Sequence, residues 1–215
     1  MNTVPVRLLQ EVGIDTSYDF LVNKLNCKHL VPEDKNLAAL ALGGTHYGLT
    51  TTESAAAYAI FGNQGVYHSP TTYYKIERAN GETVFDYDET GTQVIAPSSA
   101  TIMNHLLQEV VYGSEGTGGG IAGFNYKMKA YAKTGTSSES KDLWMVAGTP
   151  YYVGAVWYGF DIQSEVSGGA SAAKIWKAVM TEVHKDLEKK EFTDSGDVVK
   201  KGSGYYKKGV KVDVP

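Results

Sequence analysis

The stretch KMKAYAKTGTSSESKDLW, residues 127–144, places a cation, two hydroxyls and a glycine in the middle of a strand-forming segment. Small and aromatic residues lead to Lys133, and Thr134, Gly135 and Thr136 follow at once. Because glycine has no side chain, another backbone or a ligand can come close to the strand at Gly135. The two threonines share one face of a strand, whereas Lys133 lies on the other face. All three side chains can serve one ligand only if this strand twists or lies at the edge of its sheet.

Helical segments come before this stretch, and strand-forming segments continue after it. Strands are predicted at about residues 126–136, 143–149 and 151–160, and a tight Thr-Pro turn joins the last two. Thr50 and Glu53 fit a capping box at the start of an alanine-rich helix. Asn80-Gly81 predicts a hairpin turn. Apolar residues at helical spacing predict three further helices and comprise Val4, Leu8, Leu9 and Val12, then Ile102, Leu106 and Val110, and finally Ile175, Val179 and Val183.

Length and composition describe an ordinary globular protein. The 215 residues are about one domain in length and carry a net charge of −4, which argues against nucleic acid as a partner. No metal-ligand spacing joins the five histidines or the single cysteine, and nothing calls for a cofactor. No apolar run approaches a membrane span, and the start lacks the features of a signal peptide. We therefore expect the chain as it stands to be soluble.

The last part of the chain, residues 185–215, differs in composition from the rest. It carries eight lysines and six acidic residues together with glycine and serine, and its apolar periodicity is weak. Such a composition buries little apolar surface. It predicts a flexible, charged tail appended to one domain at residues 1–184.

Lys-Thr-Gly is one of three short motifs of penicillin-binding proteins and serine β-lactamases, together with Ser-x-x-Lys and Ser-x-Asn. Beyond this triplet, residues 1–184 resemble the transpeptidase domain of class A (bifunctional) penicillin-binding proteins. The resemblance is carried by LALGGTHYGLTTTESAAAYAIFGNQGVYHSP, GSEGTGGGIAG, AKTGTSSESKDLWMVAGTPYYVGAVWYGFD and GGASAAKIW, which follow one another in the family's order. It implies an α+β fold in which an antiparallel sheet is flanked by helices, as in the serine β-lactamases.

Two of the three motifs are missing from this chain. The opening MNTVPVRLLQEVGI resembles the segment that begins with the last two residues of Ser-x-Asn, so Asn2 is expected to be that motif's asparagine. The resemblance thus implies that the N-terminal part of the domain, with the nucleophilic serine and part of the sheet, lies before Met1. Surface left uncovered by that part is expected to favour self-association.

Three other patterns match known motifs only formally. Ser138-Glu-Ser-Lys141 fits Ser-x-x-Lys but lies in a predicted turn, where no helix presents its lysine. Ser171-Ala-Ala-Lys174 comes after Lys-Thr-Gly, at the start of a helix expected to pack behind the sheet. The glycines at 118, 120 and 123 match a dinucleotide-binding fingerprint, which requires a helix after it, whereas a strand follows here. None of the three is expected to be a functional site.

The resemblance implies a D,D-transpeptidase that cross-links peptidoglycan outside the cytoplasmic membrane, anchored by a segment that is not in this chain. A serine there attacks the D-Ala-D-Ala bond of a stem peptide, and β-lactams acylate the same serine. Without that serine, this chain alone is expected to be inactive. The expected site residues are Lys133 and Asn2 for catalysis, Thr134, Gly135 and Thr136 for substrate binding, and Trp144 as a candidate wall of the groove.

Two other functions stay open. One is a non-catalytic binding or scaffolding protein that reuses this half-fold. The other is a serine β-lactamase, which is disfavoured because the neighbouring sequence matches the transpeptidases and no deacylating glutamate can be placed.

Overall fold

The computed structural model describes residues 2–124, 128–167 and 171–211. Within these ranges the α-helices are Thr3–Val12 (α1), Ile14–Asp19 (α2), Leu37–Leu42 (α3), Thr51–Ala59 (α4), Pro97–Tyr112 (α5) and Ala172–Val183 (α6). A π-helical turn, Phe20–Lys24, extends α2. The strands are Val66–Tyr67 (β1), Lys75–Glu77 (β2), Thr83–Asp86 (β3), Thr92–Gln93 (β4), Tyr131–Thr136 (β5), Asp142–Gly148 (β6), Val153–Gly159 (β7), Val198–Lys201 (β8) and Gly204–Lys207 (β9).

The central sheet is antiparallel and has the strand order β5-β6-β7. Its register places Gly135 opposite Trp144, and Trp144 opposite Trp157. Since β6 is the middle strand, β5 and β7 are the two edges of this sheet in the described part of the chain. The three strands predicted from the sequence are confirmed, although residues 126 and 127 of the first lie outside the described residues.

Helices cover both faces of this sheet. On one face, Trp176 of α6 is 1% exposed and donates its indole N–H to Ala147 O at 3.2 Å and to Gly154 O at 3.1 Å. On the other face, Tyr131 donates its hydroxyl to Tyr58 O at the end of α4 at 2.8 Å. The predicted α+β fold, an antiparallel sheet flanked by helices, is confirmed.

Local signals in the sequence correspond to local structure. Thr50 accepts a hydrogen bond from Glu53 N–H at 3.1 Å, and Glu53 Oε2 accepts one from Thr50 N–H at 2.8 Å, which completes the predicted capping box. Gly81 has φ of 85° in the turn between β2 and β3. Pro97 opens α5, where its missing N–H removes no intrahelical bond.

The periodic apolar residues of three helices lie largely on exposed faces. Ile175, Val179 and Val183 of α6 are 40–55% exposed, whereas Trp176 and Met180 of the same helix are buried. In α1 the exposed residues are Val4, Leu8 and Val12, and in α5 Leu106 is exposed while Leu107 and Val111 are buried. The helices form as predicted, but neighbouring elements cover a different face from the one that the spacing favours.

The C-terminal segment, for which the composition predicts a flexible, charged tail, contains a short hairpin. Strands β8 and β9 pair antiparallel, with Gly202 at a φ of 58° in the turn, and this hairpin contacts α5. Residues 212–215 lie outside the described residues. Aromatic and hydrogen-bonding residues make the contacts of this segment with α5, and the flexibility of the tail stays a prediction.

Candidate functional site

Strand β5 presents Lys133 through Thr136 at an edge of the central sheet. The N–H of Ser137 donates to Asp142 O at 3.1 Å, so this pair belongs to the hydrogen-bonded pairs of the antiparallel ladder. Because hydrogen-bonded and non-hydrogen-bonded pairs alternate, the N–H groups of Thr134 and Thr136 point away from β6. Two backbone donors therefore face outward beside the Lys133 cation.

A cavity of about 380 Å³ lies between β5 and the end of α5 and reaches Lys133. Lys133 Nζ donates to Thr134 O at 2.6 Å. Burial lowers the pKa of Lys133 below the ordinary value for lysine, since the surrounding protein disfavours the charged ammonium. The remaining lining of this cavity, hereafter the Lys133 groove, is Leu106, Glu109, Val110, Gly113, Ser114, Glu115, Gly116 and Thr117.

Thr117 belongs to this site although the motif analysis did not single it out. Its Oγ1 lies 2.6 Å from Oγ1 of Thr134. The loop that contains Thr117 is held against α5 by Gly118, whose N–H donates to Val110 O at 2.7 Å. At Gly116 a Cβ would lie 2.4 Å from Val110 O, so a side chain there would collide with the backbone. The glycine run around Thr117 was the available signal, because glycines permit such close backbone approach.

The two formal Ser-x-x-Lys strings lie apart from this arrangement. Ser138 opens a single helical turn after β5, and Lys141 pairs with Glu139 at 2.6 Å. Ser171 caps α6 by accepting a hydrogen bond from the backbone N–H of Lys174 at 3.4 Å. That helix packs against β6 and β7 as part of the core. Ser138 thus lies in a turn, and Ser171 caps a helix.

Asn2 and Trp144 lie outside the Lys133 groove. Asn2 is exposed and precedes α1, which packs against α2 and α3. Trp144 faces Gly135 across the sheet, and a Cβ on Gly135 would lie 3.1 Å from Trp144 Cβ. The expected roles of these two residues stay predictions.

A larger cavity, of about 640 Å³, lies between α4 and the turn that joins β6 to β7. None of the Lys-Thr-Gly-Thr residues lines it, and its walls are mainly alanine, threonine and tyrosine. The smaller Lys133 groove is the better candidate for chemistry, because Lys133 with its lowered pKa and Thr117 line it, and the outward N–H groups of Thr134 and Thr136 belong to the same strand as Lys133. Such a set binds a carboxylate or a developing oxyanion.

The described residues contain neither a candidate metal site nor a candidate membrane-spanning helix. Among the described residues, no group of three or more His, Cys, Asp or Glu side chains could hold a metal ion. In the same residues, no helix has the length and apolar character needed to cross a lipid bilayer.

Comparison with known families gives one extensive match. Residues 9–181 match the model described as the penicillin binding protein transpeptidase domain. Penicillin-binding protein 1A of Clostridium acetobutylicum is 36% identical over 207 residues, which are 96% of this chain and 25% of that protein. The chain therefore spans about a quarter of the length of the curated relatives it matches.

Solved structures show the same fold. Penicillin-binding protein 1A from Haemophilus influenzae superposes with a TM-score of 0.75 at 21% identity, covering 97% of this chain and 38% of that one. The PonA1 protein from Mycobacterium tuberculosis, in complex with penicillin V, gives a TM-score of 0.67 at 24% identity, covering 87% of this chain and 55% of that one.

Proposed function

The chain belongs to the penicillin-binding protein transpeptidase family, and from this premise we propose that it is the C-terminal portion of a peptidoglycan D,D-transpeptidase. The observation that carries the proposal is the edge position of β5, which directs the Thr136 N–H outward beside Lys133 and its groove. We place the longer protein outside the cytoplasmic membrane, anchored by a segment beyond these residues. Its substrate is the stem peptide of the cell wall.

Each motif residue has a physical role in this proposal. Lys133 supplies the charge that holds the substrate carboxylate, and its lowered pKa suits proton exchange with a nearby serine hydroxyl. Thr134 and Thr136 donate hydroxyl hydrogen bonds to the same carboxylate, and Gly135 lets the ligand approach the strand. The N–H of Thr136 stabilises the oxyanion of the acyl-transfer step. Asn2 orients the substrate amide.

We propose that this chain alone is inactive. No Ser-x-x-Lys string precedes Lys133 within the 215 residues. Acyl-enzyme formation needs a serine within hydrogen-bond reach of its base, and Ser138 and Ser171 serve a turn and a cap instead. The Thr-Gly-Thr edge that remains supports reversible carboxylate binding without a covalent step. For this chain we therefore propose only weak, reversible binding of β-lactams, without acylation.

Intact-mass spectrometry after incubation with benzylpenicillin tests the proposal. The expected result is an unchanged mass. A stoichiometric increase that maps to Ser138 or Ser171 would show that a complete site exists in this chain and would refute the proposed inactivity. If the preceding part of the domain is supplied in trans and acylation appears, Lys133→Ala should abolish most of it. The matched control Lys141→Ala removes a lysine that pairs with Glu139 and should have little effect.

We further propose that the isolated chain self-associates. Apolar side chains are exposed on α1 and α6, among them Leu8 and Val179, and β7 offers an edge strand with Trp157 37% exposed. Such edges and faces pair readily with a second copy. Light scattering at micromolar concentration should show dimers or larger species. A compact monomer with a cooperative melt would instead favour the alternative, a non-catalytic binding module.

A further inference from the structure

The segment that follows the family-matched region lies against the strand that carries Lys133. Phe192 contacts the Tyr131 ring, with centroids 5.5 Å apart and planes tilted by 52°. Tyr131 is fully buried and stands two residues before Lys133 in β5. The next residue, Thr193, accepts a hydrogen bond through its carbonyl from the side chain of Gln64. Phe192 thus closes one side of the packing around the Lys133 strand.

The same segment is attached to α5 by three further contacts. Tyr205 stacks on the His105 ring, with centroids 3.9 Å apart and planes at 5°. Asp194 Oδ2 lies 3.0 Å from Nε2 of His105, and Ser195 N–H donates to Thr101 Oγ1 at 2.9 Å. Thr101 and His105 are one helical turn apart, so they lie on one face of α5.

The two elements that this segment contacts, β5 and α5, both contribute residues to the Lys133 groove. Strand β5 contributes Lys133 to the groove, and α5 contributes residues that lie within the turn after His105, such as Leu106 and Glu109. We infer that residues 192–207, here called the buttress, position the two walls of the Lys133 groove by holding β5 and α5 at a fixed separation. Phe192 and Tyr205 are then positioning residues of the site, an inference that rests on the proposed function of the groove.

The physical reason is that neither wall is held by the sheet alone. Strand β5 is an edge strand, with β6 as its single partner in the described sheet, and α5 is separated from β5 in sequence by a loop rich in glycine. The buttress contacts β5 through Phe192 and contacts α5 through Tyr205 and Asp194, and these contacts limit how far β5 and α5 can separate. When the walls are held together, the protein atoms that lower the pKa of Lys133 stay close to its ammonium group.

Hydrogen–deuterium exchange on the full chain tests this inference. In the double variant Phe192→Ala with Tyr205→Ala, exchange should rise by about tenfold at β5 and in the part of α5 that follows His105, because aromatic contacts contribute on that order. Exchange in α6 and β7 should be unchanged. Tyr205→Phe keeps the stacking ring and should behave as the parent chain. Val210→Ala, an exposed apolar position beyond the hairpin, is the matched control.

A second measurement separates positioning from general support. Lysine side chains carrying ¹³C-methyl groups report their titration by NMR, and Lys133→Arg identifies the Lys133 signal. Loss of the buttress should move the Lys133 midpoint up toward the ordinary lysine value, whereas Tyr205→Phe should leave it in place. If exchange rises only within residues 192–207, or uniformly with no change in the Lys133 midpoint, the inference is wrong. Neither readout uses a β-lactam or transpeptidation, so the proposed function stands or falls separately.

Discussion

Replacing Gly148 with alanine is expected to disturb the packing beneath the Lys133 strand. Gly148 lies opposite Tyr131 in the pairing of β5 with β6, and a Cβ there would lie 2.4 Å from Cζ and 2.5 Å from Oη of Tyr131. Because Tyr131 is 0% exposed, its ring has no open space to enter. Any displacement also breaks the 2.8 Å hydrogen bond from its hydroxyl to Tyr58 O.

The steric clash and the lost hydrogen bond together set the size of the effect. Forcing an extra carbon into a packed core costs about 1–3 kcal/mol. Losing the tyrosine hydrogen bond adds about 1 kcal/mol. The free energy of unfolding should therefore fall by about 2–4 kcal/mol, a large part of the roughly 5–15 kcal/mol that holds a typical domain folded. For a chain of this size the midpoint of thermal unfolding should fall by roughly 4–16 °C.

Urea and thermal unfolding, followed by circular dichroism at one fixed protein concentration, measure this loss. Gly44→Ala is the control, since a Cβ at Gly44 meets no atom within 4 Å. It should change stability by less than about 0.5 kcal/mol. Introducing Gly148→Ala into a Tyr131→Leu background should cost less than in the parent chain, because the clashing ring is absent. Equal stability of the Gly148 and Gly44 variants would refute the packing argument.

Three further predictions concern single side chains. Thr50→Ala removes the cap of α4 and should lower the free energy of unfolding by about 1 kcal/mol, against almost no change for exposed Thr52→Ala in a denaturant titration. Cys27 is 1% exposed, and burial together with the charge of Glu53 raises its pKa to about 11. A thiol reagent at pH 8 should therefore label Cys27 only after unfolding. Rapid labelling of the folded chain would contradict this prediction. The pKa of Lys133 is lower in the folded chain than in the unfolded chain, so between these two pKa values the folded chain binds fewer protons at this residue. The contribution of Lys133 to the free energy of unfolding therefore rises with pH across that range. The difference in urea midpoint between the parent and Lys133→Met should therefore shrink as the pH is raised from neutral toward the ordinary lysine pKa. A difference that does not change with pH would exclude desolvation of Lys133.

Much of the fold could be predicted because its signals are local. The capping box of Thr50 and Glu53 and the Asn80-Gly81 turn each involve residues within four positions, whose backbone preferences hold in any surroundings. The three strands around Lys133 were predicted for the same reason. The family resemblance added the fold class and the expected site residues. Thr117 was missed because its contact with Thr134 joins side chains that are 17 residues apart.

Residue patterns alone establish that α6 is an amphipathic helix, that β5 carries Lys-Thr-Gly, and that a hairpin follows. Which side of α6 is buried depends on the packing of the whole chain: Trp176 and Met180 face the sheet, while Val179 is exposed. The same packing places the charged C-terminal segment against α5, through the pairing of His105 with Asp194 across 89 positions. Periodicity and composition are averages over neighbouring residues, whereas burial depends on which distant element arrives to cover a face, and that is decided by packing of the whole chain.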